Sequence, residues 1–396
     1  MPERRLLGVA ERQAVVALLD RCLQTGRAYG YNGPEEQQYE KAFARFQGGG
    51  YADGVNSGTT AVYCALGALE LEPFSEVIVP PITDPGGVMP VPLLGCVPVV
   101  ADAAPGSFNT SAEQIRARIT RRTRAILVAH IFGEPVEMEP VMRLARRHKL
   151  YVIEDCAQAH GARIHGRRVG TFGHLAAFST MFGKHHCTGG QGGVVYTRDR
   201  ELHGRARRFA DRGKPFLLPN SAGNVRAGLN CNLTDLAAAI GTVQLAKLPS
   251  VLQRRHAIGA AVQRGLRGSP VSLGWQPAGA WCVYWFLRLR LDLQQLTVDK
   301  ARFCAALAAE GLPVMPDYGH ITSELPWFRS QRVFGNSGFP WSSPQYRGPR
   351  HPRFRLPNAV DAVRAHFALA MHENYGAREV RDILRAIAKV ADAYRR

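Results

Sequence analysis

Leu150-Tyr151-Val152-Ile153-Glu154-Asp155-Cys156-Ala157-Gln158-Ala159-His160-Gly161 is the stretch on which the fold turns. Apolar residues run together without alternation, then stop at two carboxylates and a series of small and polar side chains. Such a run suits a strand buried on both faces. Three more of the kind lie upstream: Glu76-Val77-Ile78-Val79-Pro80, Val97-Pro98-Val99-Val100-Ala101 and Ala125-Ile126-Leu127-Val128-Ala129. Helical apolar spacing fills the gaps at 59–71, 111–119 and 137–148. Strands alternating with helices predict an α/β unit with a mainly parallel central sheet covered on both sides. Ligands in such sheets bind beyond the carboxyl ends of the strands. Thr83, His130 and Asp155 all stand there.

Toward the N-terminus, residues 10–23 and 36–46 have helical spacing, with a turn at Gly30-Tyr31-Asn32-Gly33-Pro34 between them. Residues 228–260 read as a long helix preceded by a polar loop. Farther on, the pattern changes. Residues 283–291 alternate as a half-exposed strand does, 301–310 is helical, and 378–394 is an amphipathic helix. Residues 323–356 lack periodicity and read as a long loop near the site. The expected organisation is an N-terminal helical segment (1–50) packing on a large unit (51–255), followed by a smaller α+β unit (256–396).

The 396 residues are 46% hydrophobic and 21% charged, which excludes a disordered chain. No apolar run is long enough to span a membrane. Met1-Pro2-Glu3-Arg4-Arg5 has no apolar signal core, so a cytoplasmic location is expected. The eight cysteines stand singly, without a CxxC pair, so neither a zinc ribbon, a redox dithiol nor any other metal site is expected. They read as small core residues. The net charge of +18 is spread over scattered arginines, without interleaved aromatics or a nucleic-acid-binding signature. It reads as a solvated surface, with an anionic substrate as the alternative and nucleic acid as the least supported partner.

A second stretch supplies the chemistry: Phe178-Ser179-Thr180-Met181-Phe182-Gly183-Lys184-His185-His186, followed by Gly189-Gly190-Gln191-Gly192-Gly193. A lysine between small and polar residues, downstream of a strand ending in a carboxylate, is what pyridoxal phosphate (PLP) requires. The amine forms a Schiff base with the aldehyde, and the carboxylate keeps the pyridine nitrogen protonated. Lys184 and Asp155 are the candidates. Glu154 is the alternative carboxylate, but adjacent strand residues face opposite ways, so one of the two serves. Asn56-Ser57-Gly58-Thr59-Thr60-Ala61 precedes a predicted helix, whose first N–H groups would cradle a phosphate. An ordinary Ser/Thr helix cap is the plainer reading. Ser179 could add a hydroxyl. His185, beside the lysine, is a candidate second acid/base, against a structural role.

Together these stretches resemble the DegT/DnrJ/StrS family of PLP-dependent sugar aminotransferases, of fold type I. The resemblance runs from about Gly33 to the C-terminus and is strongest over 54–260. It rests on Val55-Asn56-Ser57-Gly58-Thr59-Thr60-Ala61, Glu76-Val77-Ile78-Val79-Pro80-Pro81, Glu154-Asp155-Cys156-Ala157-Gln158-Ala159-His160-Gly161, and Phe178-Ser179 with Lys184 and Thr188-Gly189. Gly228-Leu229-Asn230-Cys231-Asn232-Leu233-Thr234-Asp235 and Ala239-Ile240-Gly241-Thr242-Val243-Gln244-Leu245 complete it. It implies that Lys184 is the Schiff-base lysine and proton shuttle, and that Asp155 holds the pyridine nitrogen. Gln158 would approach the ring hydroxyl. Ser57, Gly58, Thr59 and Ser179 would hold the phosphate. Asn230 would reach the phosphate of a neighbouring subunit, so the site would be completed in a homodimer.

Three departures stand out. The family usually places a ring-stacking aromatic where Pro81-Ile82-Thr83-Asp84-Pro85-Gly86-Gly87 has Asp84. It commonly has arginine where this chain has Asn232. The Thr-Gly-Gly-Gln-Gly-Gly run is about one residue longer than usual. Thr83, Asp84, His185 and Tyr31 are therefore the candidate substrate contacts. The implied reaction passes an amino group from glutamate or glutamine to a keto-sugar or keto-cyclitol, in amino-sugar or antibiotic biosynthesis. Family members that dehydrate sugars carry histidine in place of the lysine, which Lys184 argues against. The alternatives are elimination or replacement at an amino acid, and a cofactor-free regulatory relative.

Overall fold

The run that begins at Tyr151 is a central strand of a seven-stranded sheet, in a computed structural model that describes residues 2–318 and 320–396. The strands are Tyr51–Val55 (β1), Glu76–Val79 (β2), Val97–Val100 (β3), Thr123–Ala129 (β4), Tyr151–Asp155 (β5), Leu175–Ser179 (β6) and Gly193–Thr197 (β7). Their order is β1-β7-β6-β5-β4-β2-β3. Strand β7 runs antiparallel to both neighbours, and every other pairing in the sheet is parallel. Pairing of Ala129 with Asp155 brings β4 and β5 to a common end. That end carries His130 and Asp155, at the carboxyl ends of the parallel strands, where ligands bind in α/β sheets. The expected fold class is the observed one.

Helices Val9–Thr25 (α1), Pro34–Gln47 (α2), Gly58–Ala68 (α3), Met138–His148 (α4), Arg200–Ala210 (α5) and Asp235–Gly265 (α6) surround the sheet. The reading of 59–71 as a helix overran. Glu70 takes a left-handed backbone (φ 51°), which cannot continue a helix. Strands β1, β6 and β7 and helix α5 were not anticipated. Their sequences explain why. Tyr51-Ala52-Asp53-Gly54-Val55 and Leu175-Ala176-Ala177-Phe178-Ser179 are rich in residues with poor strand propensity, and only sheet pairing fixes them.

A second sheet, antiparallel throughout, contains Val271–Ser272 (β8), Leu287–Leu291 (β9), Val314–Met315 (β10) and His366–Leu369 (β11), in the order β8-β9-β11-β10. Lys300–Ala309 (α7) and Ala377–Ala393 (α8) close its core around Leu289, Phe303, Phe367, Ile383 and Ile387. The half-exposed strand expected at 283–291 is corrected here. Only 287–291 is strand, and Leu287, Arg288, Leu289 and Leu291 are all buried. Of the two arginines in the alternation, Arg290 is partly exposed and Arg288 does not meet water. Arg288 pairs with buried Glu134 at 2.5 Å. Residues 283–286 instead bond the loop after β4, through Val283 N–H to Gly133 O and Trp285 N–H to Phe132 O.

The long loop expected at 323–356 is found, with no helix or strand among the described residues between Ser330 and Leu356, but it is anchored rather than loose. It contains short helical turns (Thr322–Glu324, Pro326–Arg329) and buries Phe328, Trp341 and Tyr346. Tyr346 donates to Glu76 at 3.0 Å, at the start of β2, which is the end of the sheet away from the site. All eight cysteines are unpaired, and all but Cys22 are buried. Among the described residues, no helix is long and apolar enough to cross a membrane.

Candidate active site

Ser57 starts the construction. Its hydroxyl accepts from Thr60 N–H (3.1 Å), and Thr60 Oγ1 accepts from Ser57 N–H (2.9 Å). This reciprocal cap starts α3 directly after β1 and leaves the N–H groups of Gly58 and Thr59 at the open end of the helix. Gly58 is required by proximity, because a Cβ there would come within 2.5 Å of Ser179 Cβ. The end of β6 and the start of α3 are thus in van der Waals contact, and both face one cavity of about 220 Å³.

The loop after β6 closes on itself. Thr180 N–H bonds Gly192 O (2.8 Å), Phe182 N–H bonds Gly190 O (2.9 Å), and Thr188 N–H bonds Thr180 O (3.0 Å). Gly192 has no room for a side chain, since a Cβ would meet Thr188 Oγ1 at 2.1 Å. Lys184 N–H bonds Met181 O in the same loop, and the lysine side chain lines the cavity. Burial lowers the Lys184 amine to about 8, with Asp155 and then Asp84 opposing the shift. The ammonium therefore gives up its proton much nearer neutral pH than an ordinary lysine does.

Asp155 lines the cavity, and Glu154 does not. Glu154 is fully buried on the other face, where it accepts from the N–H groups of Gly170, Phe172 and Gly173 and from His130. Asp155 takes one N–H, from Ala157 (2.9 Å). Burial pushes the Asp155 carboxyl above its usual range, while that N–H and the Lys184 charge pull it down. His130 accepts from Val136 N–H at Nδ1 (3.0 Å), so its proton sits on Nε2 and goes to Glu154. It can offer the cavity only a ring face. His130, Glu154 and Cys156 form a buried group of metal-capable side chains, but the imidazole and carboxylate are already committed to these bonds. Gln158 is held by Phe132 N–H at its oxygen (2.8 Å) and donates to Tyr318 OH (2.5 Å).

The cavity brings together Ser57, Gly58, Thr59, Thr83, Asp84, Asp155, Gln158, Ser179 and Lys184 from the sequence reading. Three candidates lie elsewhere. His185 is corrected: its ring is fully buried, with Nε2 on Val283 O (3.3 Å), because successive residues of the tight loop point apart. Tyr31 stands on the surface, bonded by Arg212 and Lys214. Asn230 is exposed and bonds Asn232, outside the cavity of its own chain. Tyr318, which is bonded to Gln158, and Trp285, whose ring centroid lies 3.8 Å from Lys184 Nζ, were missed. They follow the large unit in sequence by a long interval, and no spacing ties them to Lys184.

The second histidine of the pair belongs to a buried chain. Tyr39 OH bonds His186 Nε2 (2.8 Å), His186 Nδ1 meets His160 Nδ1 (3.2 Å), and His160 Nε2 reaches Ser179 O (2.8 Å). The carbonyl can only accept, so each proton is fixed in turn: Tyr39 donates to His186, His186 to His160, and His160 to Ser179. Burial keeps both rings neutral, His160 down to about 3.

These donors fit a PLP-sized group in chemistry. An anion would be received by the N–H groups of α3 with Ser57 and Ser179, a pyridine nitrogen by Asp155, and a carbonyl carbon by Lys184.

Residues 10–388 match the DegT/DnrJ/EryC1/StrS aminotransferase family over nearly the whole chain. The chain belongs to this aminotransferase family. A GDP-perosamine synthase of Caulobacter vibrioides is 34% identical over 301 residues, covering 72% of this chain and 79% of the relative. A dTDP-3-amino-3,4,6-trideoxy-alpha-D-glucose transaminase of Streptomyces venezuelae is 38% identical over 261 residues, covering 66% of each. Among solved structures, an aminotransferase from Psychrobacter cryohalolentis superposes with a TM-score of 0.85 at 27% identity, over 99% of this chain and 100% of that one. As a member of the DegT/DnrJ/EryC1/StrS family, the chain is an enzyme of the aminotransferase class.

Proposed function

We propose that this aminotransferase binds PLP in the cavity between α3 and β5 and transfers an amino group from L-glutamate or L-glutamine to a keto-sugar or keto-cyclitol. The observation that carries this reading is the convergence of Lys184, Asp155 and the capped start of α3 on one cavity. When bound, the cofactor supplies an electron sink for breaking a bond at the donor's α-carbon. The residues do the rest. Asp155 holds a proton at the pyridine nitrogen, and Gln158 orients the ring. Ser57, Gly58, Thr59 and Ser179 hold the phosphate. Lys184, with its amine near 8, takes a proton from carbon and returns it. Thr83 and Asp84 face the substrate side.

Similarity to nucleotide-sugar transaminases supports a sugar acceptor and a place in amino-sugar biosynthesis. One relative is a dTDP-4-dehydro-2,6-dideoxy-D-glucose 3-dehydratase of Saccharopolyspora spinosa, 31% identical over 300 residues. Lys184 favours transamination over that chemistry. The exposed Asn230 supports a homodimer in which it reaches the partner's phosphate. The division into 1–50, 51–255 and 256–396 is retained as part of this proposal.

The test is an absorbance spectrum of the protein supplied with PLP, before and after L-glutamate or L-glutamine. A visible band that bleaches with either donor, and is missing in Lys184→Ala, is expected. A band that ignores both donors would overturn transamination from them. No band at all would overturn the cofactor assignment.

A further inference from the structure

Lys184 is only 6% exposed, yet among the described residues its Nζ has no hydrogen-bonded or ion-paired partner. What it has is an aromatic face. Nζ lies 3.8 Å from the centroid of the Trp285 ring. That ring is not free to drift. Its Nε1–H donates to Gly183 O (2.9 Å), the carbonyl immediately before Lys184. Its backbone N–H bonds Phe132 O, and its carbonyl accepts from buried Arg255 (3.1 Å). Phe286 packs against it at 4.2 Å. Arg4, from the other end of the chain, also donates to Gly183 O (3.1 Å).

We propose that Trp285 is a positioning residue for Lys184, its indole face holding the lysine ammonium whenever the side chain is not covalently engaged. This rests on the reading of Lys184 as the reacting amine. The choice of partner has a physical logic. An amine that must gain and lose a proton in each turnover needs a stable place to wait. A carboxylate in contact would hold the ammonium form too firmly. An indole face attracts the ammonium but cannot take its proton, so the amine is placed without being locked. Asp155 and Asp84 act on it only at longer range.

The experiment is competitive acetylation of the full-length protein, stripped of cofactor, with limiting acetic anhydride across a pH series. Labelling is read at the Lys184 peptide by mass spectrometry. Removing the aromatic face destabilises the ammonium, so Trp285→Leu should lower the Lys184 midpoint by about half to one and a half pH units. Trp285→Phe keeps a face and loses the N–H bond to Gly183, so it should move the midpoint less, in the same direction. Unchanged or raised midpoints in Trp285→Leu, with an unchanged circular dichroism spectrum, would overturn the proposal. So would equal shifts in the two variants, which would assign the effect to the Gly183 bond. Should Trp285→Leu fail to fold, Trp285→Met, which likewise has neither an aromatic face nor the N–H, takes its place beside Trp285→Phe with the same expected and overturning results. A shift in these variants, together with a Lys184→Ala protein that keeps its visible PLP band, would overturn the reading of Lys184 and leave its placement by Trp285 standing.

Discussion

Glu154 and Asp155 are adjacent carboxylates with opposite tasks, and their bonds say which is which. Glu154 is saturated by three backbone N–H groups and His130, so it holds the 170–173 turn against β5. Asp155 accepts one N–H and keeps the rest of its capacity for the cavity. Substitution should therefore separate stability from chemistry. Glu154→Ala leaves four donors, three backbone N–H groups and the His130 ring, without a partner and should cost about 1–3 kcal/mol for each one that finds no water. Asp155→Asn keeps shape and removes a charge that burial disfavours, so the melting temperature should hold or rise. Its first half-reaction with glutamate or glutamine should slow by ~10²-fold or more, the scale of losing a positioned proton-holding group. Thermal unfolding and stopped-flow absorbance on the two variants check this. A reversed pattern would move the pyridine partner to Glu154.

At the scale of elements, the site is a contact between two chain reversals, the start of α3 and the loop after β6. Gly58→Ala tests it. The added Cβ would fall 2.5 Å from Ser179 Cβ, a clash that must shift backbone and should cost about 1–3 kcal/mol. The same shift misplaces Ser179 and the N–H groups of α3, so PLP affinity measured by absorbance titration should fall at least ~10-fold, about 1.4 kcal/mol. Gly190→Ala meets nothing within 4 Å and should change neither quantity. Equal effects in both variants would remove the packing argument. This contact was half legible in the sequence. Ser57-Gly58-Thr59-Thr60 announces a capped helix, and Lys184 with Asp155 announces the chemistry. That Gly58 packs on Ser179 could not be read, because β6 is a poor strand by composition and exists through its pairing. Likewise Trp285 reaches Lys184 only because 283–286 bonds the loop after β4 instead of continuing β9, and local spacing does not encode such a bond.

Across the whole molecule, two sets of buried titratable groups oppose one another. Where α2 packs on β1, burial raises Glu36 to about 8, Glu40 to about 7 and Asp53 to about 8, with Arg207 beside Asp53 at 3.1 Å. Elsewhere burial depresses His160, His185, His186, His203 and His366 below their ordinary value of 6.5. The two sets act on stability with opposite sign. The carboxyls stay protonated in the folded chain at pH values where the unfolded chain has released those protons. Stability therefore falls as pH rises from the ordinary carboxylate range to about 8. The histidines stay neutral in the folded chain while the unfolded chain takes up protons, so stability falls as pH drops through 6.5. Above that value the histidines contribute little further slope, and up to about pH 8 the three carboxyls outweigh the opposite contribution of Lys184, whose amine near 8 releases its proton earlier in the folded chain than in the unfolded one. The melting temperature should peak between roughly pH 6 and 7 and decline toward pH 8. Glu36→Gln should flatten the alkaline side and leave the acid side unchanged, because it removes one proton-holding carboxyl and no histidine. Thermal unfolding followed by circular dichroism from pH 5 to 9, at fixed ionic strength, measures both limbs. A wild-type melting temperature that climbs steadily from pH 6.5 to 8.5 would contradict the carboxyl assignment, and so would a Glu36→Gln profile superimposable on it.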